Sequence, residues 1–287
     1  MTQPEICANT FLIGAQKAGT TYLAALLDQS ADVCVSDPKE PQFFSTGFDR
    51  GFADYARCFA DPGARIRLDA STTYTFLRPL HAMATPEAPG LLAPVPERIL
   101  AAAPEAKFIY ILRDPVKRAA SAYRHNMRSA PPPDGPLSLI ACIAQDPMLG
   151  LVSRYGDQIE RWLDVVPRAR FLFLDFRRVT RETEAVLAEV CDFLDIPLTG
   201  ITLEEAERGK HGAYRETGAG QVMRAAMAAM PGAARAAKAI VPARVKARLL
   251  DPVMKAPAEI TFHDEEAAAA LFEEDRARVT RLTGLVI

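Results

Sequence analysis

Short, wholly apolar runs alternate along this chain with stretches whose apolar positions recur at helical spacing. Residues 10–13, 33–35, 66–69, 107–112 and 171–174 read as buried strands, the clearest being Lys-Phe-Ile-Tyr-Ile-Leu at 107–112. Helical spacing marks 20–28, 96–103, 116–127, 155–165 and 182–194. Ile159, Trp162 and Leu163 share one helix face, and Val186, Leu187, Val190, Phe193 and Leu194 line up on another; both sets are assigned to the core. Strands that are apolar at every position are buried on both faces. Separated by helices, they predict a central parallel sheet flanked by helices, a three-layer α/β domain. In such sheets ligands bind at the carboxyl ends of the strands.

Two segments break the alternation. Residues 129–136 form a proline-rich loop, and 223–255 are alanine-rich, basic and interrupted by Pro231, Pro242 and Pro252. Helical pieces outside the sheet are expected in the latter. The 287 residues suffice for one domain spanning 1–287, with a core at about 8–198 and a helical, basic C-terminal region at about 199–287. No internal repeat is visible.

Charge narrows the function. Lys and Arg total 34 against 36 Asp and Glu, a net charge of -2, which excludes a generic polyanion-coating protein. Any anion site is therefore local. The five scattered cysteines, Cys7, Cys34, Cys58, Cys142 and Cys191, form no zinc-ligand spacing and read as reduced thiols. No basic-then-apolar leader opens the chain, and no run reaches the ~18 apolar residues that span a bilayer. A cytoplasmic protein is expected.

The first chemical motif is Gly14-Ala15-Gln16-Lys17-Ala18-Gly19-Thr20-Thr21, between a strand and a helix. Gly14 and Gly19 are expected to take the φ values that turn backbone N–H groups inward. The helix starting near Thr20 then adds free N–H groups and the positive end of its dipole, completing a phosphate cradle. A nucleotide-triphosphatase loop places lysine after its second glycine and a hydroxyl on magnesium. Here Thr20 follows the glycine and the lysine lies inside the loop, as Lys17. An ammonium over the transferred group makes a metal less necessary, and none is expected.

Arg113 follows the strand 107–112 directly, so it too lies at a carboxyl end. Asp114 is placed to cap the next helix, with Pro115 as its first residue. Lys117 and Ser121, four apart, share a face of it. Arg113 offers a planar fork for a phosphate monoester and Ser121 a hydroxyl. Two anion sites at strand ends imply one ligand with phosphates at two ends.

The segments FLIGAQKAGTTYL and FIYILRDPVKRAASAYRH together resemble the sulfotransferases that use 3′-phosphoadenosine 5′-phosphosulfate, both the bacterial and the glycosaminoglycan types. The resemblance runs from about Phe11 to Leu194 and implies a P-loop-like fold. It implies that Lys17, Ala18, Gly19, Thr20 and Thr21 hold the 5′-phosphosulfate and that Arg113 and Ser121 hold the 3′-phosphate. The stretch Arg208-Gly209-Lys210-His211-Gly212 is similar to the family's loop over the 3′-phosphate, which adds Lys210.

Lys39-Glu40-Pro41-Gln42-Phe43-Phe44 resembles the family segment whose glutamate is the proposed base, which implies that role for Glu40. Set among Pro41, Phe43 and Phe44, its carboxylate is expected to be partly desolvated and more basic. The competing reading is a surface glutamate paired with Lys39. Asp69-Ala70-Ser71-Thr72-Thr73-Tyr74 resembles a family segment that carries lysine where Ala70 stands, so this loop offers no ammonium at that position. His81, His125, His211 and His263 are alternative bases in no recognisable motif, each read as structural or exposed.

The implied activity is sulfuryl transfer to an acceptor hydroxyl on a carbohydrate or small molecule, with no nucleic-acid partner. The basic 224–255 stretch is a lid, an acceptor platform, a membrane-surface helix or, most plainly, a solvated face. Two rivals stay open: a P-loop kinase or nucleotide triphosphatase, with Asp69 or Asp175 toward magnesium, and a non-catalytic nucleotide-binding module.

Overall fold

The computed structural model describes residues 7–77, 94–127, 133–203 and 260–287, with the backbone of a small ribbon formed by Arg215–Glu216 and Met254–Lys255. Strands β1 (Thr10–Gly14), β2 (Val33–Val35), β3 (Ile66–Asp69), β4 (Lys107–Leu112) and β5 (Phe171–Asp175) form one sheet in the order β2-β3-β1-β4-β5. Every pairing in it is parallel. The five strands are those marked by the apolar runs. Phe11 stacks on Phe108 and Phe108 on Phe171, while Trp162 packs on Phe108 at 5.1 Å, so the sheet's centre is an aromatic core.

Helices cover the sheet: α1 (Thr20–Leu27), α2 (Phe52–Ala56), α3 (Val95–Ala102), α4 (Pro115–Asn126), α5 (Leu139–Gln145), α6 (Pro147–Leu151), α7 (Tyr155–Leu163), α8 (Phe176–Arg181), α9 (Thr183–Leu194), α10 (Glu265–Ala268) and α11 (Glu273–Thr283). The C-terminal pieces are integral to the packing. Phe272 and Val279 are buried, Asp264 accepts from the Leu139 amide, and Asp275 accepts from the Gly156 amide at the start of α7. Arg276 reaches Asp114 at 2.8 Å.

Met254–Lys255, the end of the stretch in which helical pieces were expected, pairs antiparallel with Arg215–Glu216 as a strand. The rest of 223–255, and residues 129–132 of the proline-rich loop, lie outside the described residues. Among the described residues, no helix is long and apolar enough to cross a membrane.

The strand order locates the site. From β1 the chain moves outward to β2, returns to β3 beside β1, and then crosses to β4 on the other side. The direction of winding therefore reverses between β1 and β4, and a crevice opens beyond their carboxyl ends. The loop at 15–19 leaves β1, and Arg113 leaves β4, at that crevice.

Candidate active site

The glycine loop is held in a fixed shape. The Ala15 amide donates to Ile111 O at 2.7 Å, tying the loop to β4. Gly19 is the N-cap of α1 with φ 85°, a left-handed conformation that glycine adopts without cost. Lys17 is also left-handed, at φ 70°, which costs a side-chain-bearing residue free energy. Arg113 Nη1 donates to Lys17 O at 2.7 Å and stabilises that turn. Gly14 serves a different purpose from the one expected. Its φ is not positive; a Cβ there would lie 2.8 Å from the Tyr110 ring, so glycine is required by packing.

The segment after β4 has the local structure that the sequence implied. Asp114 caps α4 by accepting from the Lys117 amide at 2.8 Å, and Pro115 opens the helix. Arg113 is partly buried, with its guanidinium 4.6 Å from the centre of the Phe176 ring. Burial pushes its pKa below the usual arginine value. Ser121 faces the same crevice, and so does His125, one turn further along α4. Lys117 instead turns to Glu265.

Glu40 is positioned by two segments zipped together. The Ala70 amide donates to Lys39 O, the Gln42 amide to Ser71 Oγ at 2.9 Å, and the Phe44 amide to Tyr74 OH at 3.3 Å. Beneath them sits Asp69, fully buried, accepting from Tyr55 OH, Tyr74 OH and Ser71 Oγ at 2.8, 2.7 and 2.6 Å. Burial pushes the Asp69 carboxyl up to about 6, against the pull of these donors. Glu40 Oε2 accepts from Thr72 Oγ1 at 3.1 Å, and Oε1 lies 3.1 Å from Lys39 Nζ.

The expected apolar setting for Glu40 is not what its neighbours provide. Phe43 and Phe44 are fully buried in an aromatic cluster with Phe48, Phe52 and Tyr55, leaving Lys39 and Thr72 as the partners of the carboxylate. The pairing with Lys39 and the approach to the crevice, posed as alternatives, coexist.

A cavity of about 830 Å³ brings these parts together. Lys17, Gly19, Thr20, Thr21, Glu40, Arg113 and Ser121 all line it. Ala18 does not: it is buried, with its amide donating to Ala15 O at 3.0 Å. Lys210, His81 and His211 lie outside the described residues. His263 is off the cavity wall, and His125, one of the alternative bases, is on it. Phe176, Tyr22, Thr180 and Thr72 also line it and were not singled out as ligands. Another cavity, of about 540 Å³, lies at the opposite ends of β1, β3 and β4, beside Thr10, Ile66 and Lys107. Asp69 and Asp175, the carboxylates a magnesium-dependent rival needs, are engaged elsewhere: Asp69 by two tyrosines and a serine, Asp175 by Arg177 and as the cap of α8.

Residues 8–217 match the sulfotransferase domain family, and the chain belongs to it. Among curated relatives, the bifunctional heparan sulfate N-deacetylase/N-sulfotransferase 3 of Homo sapiens is 29% identical over 202 residues, covering 64% of this chain and 22% of that protein. The heparan sulfate glucosamine 3-O-sulfotransferase 6 of Homo sapiens is 27% identical over 195 residues, covering 64% of this chain and 51% of that protein. The chain thus spans about half or less of the length of these relatives. The crystal structure of a sulfotransferase from Alicyclobacillus acidocaldarius has the same fold, with a TM-score of 0.63 at 22% identity over 98% of this chain and 97% of that one.

Proposed function

We propose that this protein transfers the sulfuryl group of 3′-phosphoadenosine 5′-phosphosulfate to an acceptor hydroxyl and releases adenosine 3′,5′-bisphosphate. The observation that supports this reading is that the glycine loop after β1 and the residues Arg113 and Ser121 after the adjacent strand β4 open into one cavity, which a carboxylate, Glu40, also lines. A binding module needs no such base.

In this reading the acceptor oxygen attacks sulfur in line. A new O–S bond forms, the bond from sulfur to the bridging oxygen breaks, and the electron pair leaves with the 5′-phosphate. The acceptor proton passes to Glu40. Lys17, the loop amides and the N-terminus of α1 neutralise the charge growing on the bridging and phosphate oxygens. Arg113 and Ser121, with Lys210 by resemblance, hold the 3′-phosphate and so fix the donor. The relatives named for heparan sulfate favour a sugar as the acceptor. Five unpaired cysteines support a reducing, cytoplasmic setting.

Thermal-shift titration tests the reading. Adenosine 3′,5′-bisphosphate at 100 times its Kd should stabilise the fold by about 2.7 kcal/mol with chelator present. Stabilisation by magnesium-ATP alone would overturn it in favour of a kinase. Incubating labelled donor with an extract of the producing cells, followed by mass spectrometry for a sulfonate increment, then identifies the acceptor.

A further inference from the structure

Lys39 occupies an unusual junction. Its Nζ lies 3.2 Å from Thr20 Oγ1, 3.3 Å from Thr21 Oγ1 and 3.1 Å from Glu40 Oε1. All three of those residues line the cavity. The two threonines open α1, whose first turn carries no acidic residue to meet its dipole. The backbone of Lys39 is fixed as well, since its carbonyl accepts from Ser36 Oγ at 3.0 Å and from the Ala70 amide at 3.2 Å. The ammonium is therefore built into the place where the phosphate cradle meets the carboxylate.

We propose that Lys39 is a second cation of the transfer site, whose ammonium binds the sulfuryl oxygens of the donor and stands between that anion and Glu40. The inference rests on the transfer reading above and adds to it a residue that the loop motif does not contain.

Three physical points support it. A hydroxyl that accepts from an ammonium keeps its own hydrogen for an anion. An oxyanion held by Thr20 and Thr21 therefore comes within one side-chain rotation of Lys39 Nζ. A carboxylate and a sulfonate in one cavity also repel, and a cation between them removes that cost. Finally, the charge moves during the reaction in the direction that favours Lys39. Glu40 becomes neutral on taking the acceptor proton, so the competing hold of the carboxylate on the ammonium weakens and its hold on the sulfuryl oxygens strengthens as the transfer proceeds, which is differential stabilisation of the transition state. The facing loop supplies a methyl group at Ala70, so no cation from there competes for this position.

Calorimetric titration of the whole chain with donor and with adenosine 3′,5′-bisphosphate separates the contributions, because the two ligands differ by the sulfuryl group. Lys39→Met should weaken donor binding about tenfold, the scale of one lost charge-assisted contact, and leave bisphosphate binding within about twofold. Lys39→Arg should restore most of the donor affinity. A selective loss smaller than about threefold overturns the proposal, as does an equal loss for both ligands, which would mark a structural effect on the cradle. If the wild-type chain binds neither ligand, the transfer reading itself falls. A wild type that prefers donor to product regardless of residue 39 leaves that reading standing and removes only the role of Lys39.

Discussion

Arg113 reaches across from the end of β4 to the glycine loop after β1, donating from Nη1 to the carbonyl of Lys17 at 2.7 Å. Arg113, proposed for the second anion site, thus holds the conformation of the loop proposed for the first. In the proposed reading the two halves of the cradle act on different ends of the donor, and kinetics should resolve them. Lys17→Ala should lower turnover at saturating donor by about 10²–10³, because it removes charge stabilisation where the bond breaks. Donor affinity should change far less. Arg113→Ala should chiefly raise the donor Kd, with a smaller fall in turnover from the loosened loop. Intact turnover in Lys17→Ala would remove that residue from the chemistry.

Glu40 is held by Thr72 on one oxygen and Lys39 on the other. Loss of a general base costs about 10²–10⁴ in rate, so Glu40→Gln should lose that much while binding adenosine 3′,5′-bisphosphate normally. Thr72→Val keeps the carboxylate and removes one of its two anchors, and should cost about tenfold or less in turnover. Full activity in Glu40→Gln would move the base role elsewhere, and His125, on the wall of the same cavity, is the next residue to replace.

The sheet was legible because its strands are continuous apolar runs and the glycine loop and Arg113 sit at their ends, where position along the chain and position in space agree. The short helices were not. α6 is announced only by Asp146-Pro147, and α8 only by Asp175, whose carboxylate accepts from the Arg177 amide. Caps of this kind follow strands and loops too, so they mark a helix only once the packing is known. Phe176 and Thr180 were missed for a related reason. Both reach the cavity from α8, an element whose own pattern explains it, and only the order of the strands brings them beside the glycine loop. The buried phenylalanines beside Glu40 misled in the opposite sense: neighbours in sequence, they point into the core.

Gly14 shows how tightly the first strand ends. The Tyr110 ring that a Cβ would strike at 2.8 Å is itself buried, and its hydroxyl donates to Gln158 Oε1 at 2.6 Å. The ring cannot retreat without breaking that bond. Gly14→Ala should therefore destabilise the fold by about 1–3 kcal/mol through overpacking. Urea unfolding measures this. A change near zero would mean that the ring has room to move.

Asp275 anchors the C-terminal helix to the core. Its Oδ1 accepts from the Gly156 amide at 2.9 Å, while Oδ2 is buried with no partner in hydrogen-bonding geometry. Burial pushes the carboxyl up to about 6 from 3.8, with the Gly156 amide and Arg278 opposing and Asp157 adding to the rise. The folded protein thus holds a proton at this position that the unfolded chain releases between pH 4 and pH 6. The sign follows: stability at this position is greatest in acid and is lost as pH rises through about 6. Asp275→Asn cannot titrate, so its stability relative to wild type should improve by about 1–1.5 kcal/mol between pH 5 and pH 7.5. Asp69, also pushed up to about 6, is present in both proteins and cancels from the comparison. Urea unfolding at the two pH values gives the difference directly, and an unchanged gap would mean that Asp275 does not titrate in this window.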